Sequence, residues 1–212
     1  PSPFVFLGGI FASRKMRAKL IFEVRDIWPL TLIQHGGISK RNPLIKIMQW
    51  IEDSAYRYSD VVISNLPLLN DHIIERGVAV KEFVWIANGF DLEEVSFSEI
   101  QLPEAINNFN NSFFNHFKIY YTGGLTDGDG LEYLIDAISI LSSKGVKDVA
   151  VCIVGEGLFK NTLINKSRSL SNIVYVDAQP KRIIHSILKS SDMLYLAWKK
   201  LPIYKFGIAP NK

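Results

Sequence analysis

The sequence is poor in the residues that build disulfide frameworks, redox centres and metal sites. Its 212 residues hold one cysteine and four histidines. A lone thiol has no internal disulfide partner, and Cys152 lies inside the apolar stretch VAVCIVG, where a thiol serves as a small core residue rather than a nucleophile. His35, His72, His116 and His185 are scattered without ligand spacing, so no bound metal is expected. An excess of one charge is also missing. The 24 basic and 21 acidic residues leave a net charge of +3, too little for long-range attraction to nucleic acid unless it is clustered. No apolar run approaches the ~20 residues that a membrane-spanning helix needs, which leaves a soluble or peripheral chain.

What is present is material for cores. Hydrophobic residues make up 48% of the chain, enough for one large or two small globular domains. One charge cluster stands out: Arg14, Lys15, Arg17 and Lys19 follow directly on the apolar FVFLGGIF. Basic residues after an apolar run are the reverse of a secretory leader. Two readings stay open for the segment: contact with an anionic membrane surface, or a packed helix whose last turn carries cations suited to its dipole.

Apolar runs bounded by turn residues alternate with segments of helical period, the pattern of parallel sheets with helices on their faces. KLIFEVRD, DVVIS and EFVWIAN read as strands, with helices over 43–57 and 67–76. Residues 96–116 hold five asparagines and no clear period, as expected of a linker. The pattern then restarts with strands FKIYYTGG, VAVCIVGEG, NIVYVDA and DMLYLAW and helices near 130–143, 159–169 and 181–190. The fold class is therefore α/β, with residues 1–95 and 117–212 forming two Rossmann-like, doubly wound units, in which ligands bind outside the carboxyl ends of the strands. Gly123-Gly124, Gly155-Glu156-Gly157 and Gln179-Pro180 stand at three such ends in the second unit. Glycine admits a ligand close to the backbone and leaves N–H groups for an anion. GGLTDGDG lacks the glycine spacing of a dinucleotide site.

VRDIWP (24–29), SDVVISNLPLLNDHIIERGV (59–78), WIANGFD (85–91), YYTGGLTDGDGLEYLIDAISIL (120–141), VGEG (154–157) and YKFGIAPNK (204–212), in this order, resemble the family-four glycosyltransferases of the two-domain GT-B fold, bacterial surface-polysaccharide type. The resemblance implies transfer of a sugar from a nucleoside diphosphate sugar to a lipid-linked or polysaccharide acceptor, with retention of configuration and no cofactor. It further implies a cytoplasmic location, peripheral to the inner membrane face, and a chain lacking both ends of the family's usual length. The C-terminal unit would hold the donor, through Gly123, Gly124, Gly155, Glu156, Gln179, Asn211 and the cationic Lys212. Catalytic roles fall to Asp26 first and Arg25 second, with Asn88 reaching the cleft. Asp26 would accept a hydrogen bond from the acceptor hydroxyl or support positive charge on the sugar ring. The alternative for this loop is an Arg25–Asp26 pair that only shapes it; Asn88-Gly89 likewise reads as a turn.

Two departures from the family follow. Many relatives carry Arg and Lys where this chain has Asp127 and Asp129, which would repel phosphate unless turned away. The family's donor-binding carboxylate would fall just beyond Lys212. A non-catalytic sugar-nucleotide-binding or partner subunit, or a GT-B sugar-nucleotide epimerase, are the alternative functions.

Overall fold

The computed structural model describes residues 3–89 and 101–209. The chain divides into two compact units, residues up to 89 together with 200–209, and residues 101–199.

In the first unit, β1 (Ile21–Val24), β2 (Val61–Ser64) and β3 (Phe83–Trp85) form a parallel sheet in that order. Around it lie α1 (Val5–Met16), α2 (Leu30–Gln34), α3 (Pro43–Tyr58) and α4 (Leu69–Glu75). The start of α3 follows from its sequence: Asn42 Oδ1 accepts the Leu44 N–H at 2.9 Å, and Pro43, which has no N–H to lose, opens the helix. Its Met48, Ile51, Ala55 and Tyr56 recur at helical spacing and are buried. Val24, Ile27, Tyr56, Val62, Leu69 and Ile73 form the core, joined by Ile203 and Phe206 from a 3-10 turn over Pro202–Phe206. Full burial of such side chains contributes about 1.5–3 kcal/mol each. Helix α1 packs through Phe6 onto Ile51 and Ala55, while its outer side leaves Val5 and Phe11 70% exposed.

In the second unit the parallel sheet runs β6 (Ile173–Val176), β5 (Val149–Val154), β4 (Phe117–Thr122), β7 (Met193–Leu194). Successive β5 residues face opposite ways, Val151 and Ile153 into the core shared with α6 (Leu131–Ser143) and α7 (Lys160–Lys166). Ala150, Cys152 and Val154 face the core shared with α5 (Glu104–Ser112) and α8 (Lys181–Lys189). Burial on both faces explains why this strand is apolar throughout. Burial also pushes the Cys152 thiol up to about 12, which keeps it protonated and unreactive.

Two expected boundaries move. Part of the expected linker is α5, whose Ile106 and Phe109 are buried, the latter 5.5 Å edge-on from the Tyr120 ring. Asn108 and Asn111 are exposed, while Asn110 accepts the Tyr120 hydroxyl at 2.8 Å, and these polar residues mask a helical apolar spacing. Residues 200–209, expected in the donor unit, pack into the core of the first. Among the described residues no helix is long and apolar enough to cross a membrane.

Candidate functional site

The carboxyl end of β1 is held by Ser64, whose buried hydroxyl donates to the Val24 carbonyl at 2.6 Å and accepts the Leu66 N–H at 3.0 Å. The next residues are Arg25 and Asp26, both exposed and without a hydrogen-bond or ion-pair partner among the described residues. The alternative of a local pair between them is not found, so neither charge is committed among the described residues. They line a cavity of about 390 Å³ with Val24, Trp28, Glu52 and Tyr56. Trp28 Nε1 is buried without a partner among the described residues, and the Trp28–Pro29 peptide is cis.

Below this cavity Tyr56 donates to Glu52 Oε1 at 2.8 Å and Gln49 Nε2 to Glu52 Oε2 at 2.6 Å. Burial, then the Glu52 charge, raises the Tyr56 hydroxyl well above its ordinary value, so it stays a donor. Asn88 does structural work: its Nδ2 donates to the Ala209 carbonyl at 2.7 Å, and its Oδ1 accepts from Asn65 at 3.2 Å.

In the second unit the loops after β4 and β5 interlock. Gly123 N–H donates to Val154, Leu125 N–H to Glu156, Phe159 N–H to Leu125 and Gly155 N–H to Val176, all at 2.9–3.1 Å. A Cβ on Gly155 would stand 1.9 Å from the Gly123 carbonyl oxygen, and one on Gly157 2.2 Å from that of Leu125. These glycines are therefore required by backbone meeting backbone. Gly123 and Gly155, expected to offer N–H groups to an anion, have spent theirs. The N–H groups of Gly124, Glu156, Gly157 and Leu158 have no partner among the described residues, and a Cβ on Gly124 would meet nothing nearer than Thr126 at 3.9 Å. Gly157 was expected at this strand end without a donor-binding role and Leu158 was not expected there, because a free N–H leaves no mark on residue identity.

The carboxylates of the acidic loop have partners. Asp129 is buried and its Oδ2 accepts from Thr126 N–H at 3.1 Å and Oγ1 at 2.5 Å, a capping arrangement. Asp127 is paired with Lys199, whose ammonium also lies 2.9 Å from Glu132. Glu156 and Asp177 each lie 2.6 Å from Lys160 Nζ. The hydrogen bonds to Asp177 first and Glu156 second hold the Lys160 ammonium above its usual value, and the same lysine holds the Asp177 carboxyl below the carboxylate range. Gln179 donates to the Asp177 carbonyl at 3.0 Å, which fixes the turn after β6. Asn211 and Lys212 lie outside the described residues. Among the described residues no three His, Cys, Asp or Glu side chains group as metal ligands.

No protein-family model and no curated protein matches the sequence. Solved structures do match. Anabaena HepE in complex with UDP and glucose is 18% identical, with a TM-score of 0.66 over 93% of this chain and 51% of that one. WaaG, a glycosyltransferase involved in lipopolysaccharide biosynthesis, is 11% identical with a TM-score of 0.60, over 85% of this chain and 50% of that one. Sucrose-phosphate synthase from Thermosynechococcus elongatus is 10% identical with a TM-score of 0.62, over 87% and 46%. At these identities the likeness is one of fold, and the chain spans about half the length of the structures it matches. Two Rossmann-like α/β units, each with a parallel sheet, give this chain the GT-B fold.

Proposed function

We propose that the chain is part of a family-four type glycosyltransferase that moves a sugar, with retention, from a nucleoside diphosphate sugar to a lipid-linked or polysaccharide acceptor. The observation that carries the reading is the set of unpartnered N–H groups of Gly124, Glu156, Gly157 and Leu158 at two strand ends of one sheet. Such donors stabilise the charge that develops on a departing diphosphate. The HepE structure with UDP and glucose supports the same ligand class here.

In this reading Gly123 and Gly155 shape the donor loops, while Gly124 admits the ligand close to the backbone. Glu156 would exchange its bond to Lys160 for a sugar hydroxyl, Gln179 orders the turn after β6, and Asn211 with Lys212 adds a cation. Asp26, without a countercharge, accepts the proton of the acceptor hydroxyl or supports the positive sugar ring, and Arg25 binds an anionic group of a substrate. Asn88 braces the acceptor-side unit. The donor is the only small molecule required besides the acceptor. Helix α1, with Val5, Phe11 and Met16 at least 70% exposed beside Arg14, Lys15, Arg17 and Lys19, suits an anionic membrane surface at the cytoplasmic face.

The acidic loop was the main feature favouring a non-catalytic subunit, and its pairing with Lys199 and Thr126 weakens that reading. His185 lies on α8 rather than at a strand end, which weakens the epimerase reading. Calorimetric titration with UDP tests the proposal. Saturable binding that weakens at least roughly tenfold in Gly124→Ala, with unchanged thermal stability, is expected. Absent binding, or binding indifferent to Gly124→Ala, would contradict it.

A further inference from the structure

The first unit holds a larger cavity than the one beside Arg25 and Asp26. It measures about 590 Å³ and is bounded by α2, α3, α4 and the Pro202–Phe206 turn. Its size lies within the range of small-molecule sites, and its polar groups are arranged in a particular way.

Two amides on its wall are locked in opposite senses. Gln34 Oε1 accepts the Ile203 N–H at 2.7 Å, which leaves the Gln34 Nε2 donor without a partner among the described residues. Gln49 Nε2 donates to Glu52 at 2.6 Å and to Asp53 at 3.0 Å, which leaves the Gln49 Oε1 acceptor unused. One fixed donor and one fixed acceptor suit hydroxyl groups, which do both.

The charges are sorted in the same way. Arg76 is committed to Asp53 through two bonds of 3.2 and 2.8 Å, and Lys205 to both oxygens of Glu75 at 2.7 and 2.8 Å. Lys40 and Lys46 line the same cavity, and neither side chain has a hydrogen-bond or ion-pair partner among the described residues. Two uncommitted cations lining one cavity attract a doubly charged oxyanion. Trp50 is 65% exposed there, and an indole face is a platform for the apolar face of a sugar ring.

We propose that this cavity binds a phosphorylated sugar, with its phosphate on Lys40 and Lys46, its ring on Trp50 and its hydroxyls on Gln34 and Gln49. The inference stands apart from the transferase reading, because it uses none of the residues given a part there.

The test titrates the full chain with glucose 1-phosphate and with inorganic phosphate. Lys40, Lys46 and Trp50 are exposed, so their alanine variants keep the fold, as unchanged circular dichroism verifies. Glucose 1-phosphate is expected to bind saturably and at least roughly tenfold tighter than phosphate alone. Lys40→Ala with Lys46→Ala is expected to weaken it by roughly tenfold or more, and Trp50→Ala to remove its advantage over phosphate. UDP binding stays unchanged in both variants. Glucose 1-phosphate that binds no tighter than phosphate, or equally well to the double lysine variant, overturns the proposal and leaves the UDP titration to judge the transferase reading separately.

Discussion

The two units present their strand ends to a ligand in opposite ways. After β1 the loop offers side-chain charge: Arg25 and Asp26 are exposed and uncommitted beside a cavity. After β4, β5 and β6 the loops withdraw side-chain charge: Asp127, Asp129, Glu156 and Asp177 all have partners, and what is left over is backbone N–H. The difference matches two chemical tasks. A group that takes or shields a proton must keep its charge free, whereas a site for a diphosphate must remove carboxylates from the anion's path and supply fixed dipoles.

The largest effect that would sharpen this comparison is expected on the side-chain half. Asp26→Asn should lower turnover with a nucleoside diphosphate sugar by roughly 10²–10⁴-fold while leaving thermal unfolding unchanged. A variant of undiminished rate would return Asp26 to a loop-shaping role.

Next comes the backbone half. Gly155→Ala forces a methyl against the Gly123 carbonyl at 1.9 Å and is expected to destabilise the second unit by about 1–3 kcal/mol or more. Gly124→Ala, with nothing nearer than 3.9 Å, should leave the denaturation midpoint within error. Equal midpoints for the two variants would break the distinction between packing glycine and ligand-facing glycine.

A smaller effect concerns the sorted carboxylates. Lys160→Ala frees Glu156 and Asp177, whose repulsion should weaken UDP binding by roughly tenfold. Because Glu156 and Asp177 are solvent-exposed, the thermal midpoint should change little. Tighter UDP binding in this variant would show that the lysine competes with the ligand instead of clearing its path.

The smallest effect is a pH dependence in the first unit. The Leu20 N–H first and Lys81 second lower the Asp60 carboxyl from its ordinary value. Its contribution is present in full above the unfolded value near 3.9 and is lost as pH falls through the lower folded value. The melting temperature of wild type should exceed that of Asp60→Asn at pH 6, and the gap should close as pH falls through the lowered value of the folded carboxyl. A gap that persists in acid would contradict the assignment.

Much of the fold was legible in the sequence because burial on both faces of β5 makes VAVCIV apolar at every position, and α3 writes its period in Met48, Ile51 and Ala55. Helix α5 was not legible: its polar residues outnumber Ile106, Phe109 and Phe113, and a half-buried helix on one sheet face shows only a thin stripe. The packing of Ile203 and Phe206 into the first unit was also hidden, since chain order carries no sign of which core a late segment joins. At the candidate site, Arg25, Asp26 and the glycines could be located from strand ends alone. Their division of labour could not, because it depends on distances between loops that are about 30 residues apart in the chain, Gly123 against Gly155 and Leu125 against Gly157. The acidic TDGDG loop misled for the same reason, as Lys199 lies 72 residues from Asp127.

The central claim is that unpartnered backbone N–H groups of two strand-end loops receive a nucleoside diphosphate. The most direct measurement is an amide-resolved NMR titration of the chain with UDP. Saturable shifts concentrated at Gly124, Glu156, Gly157 and Leu158 are expected, with the spent N–H groups of Gly123 and Gly155 moving least. Saturable shifts that avoid these four amides, or none at all, would contradict it.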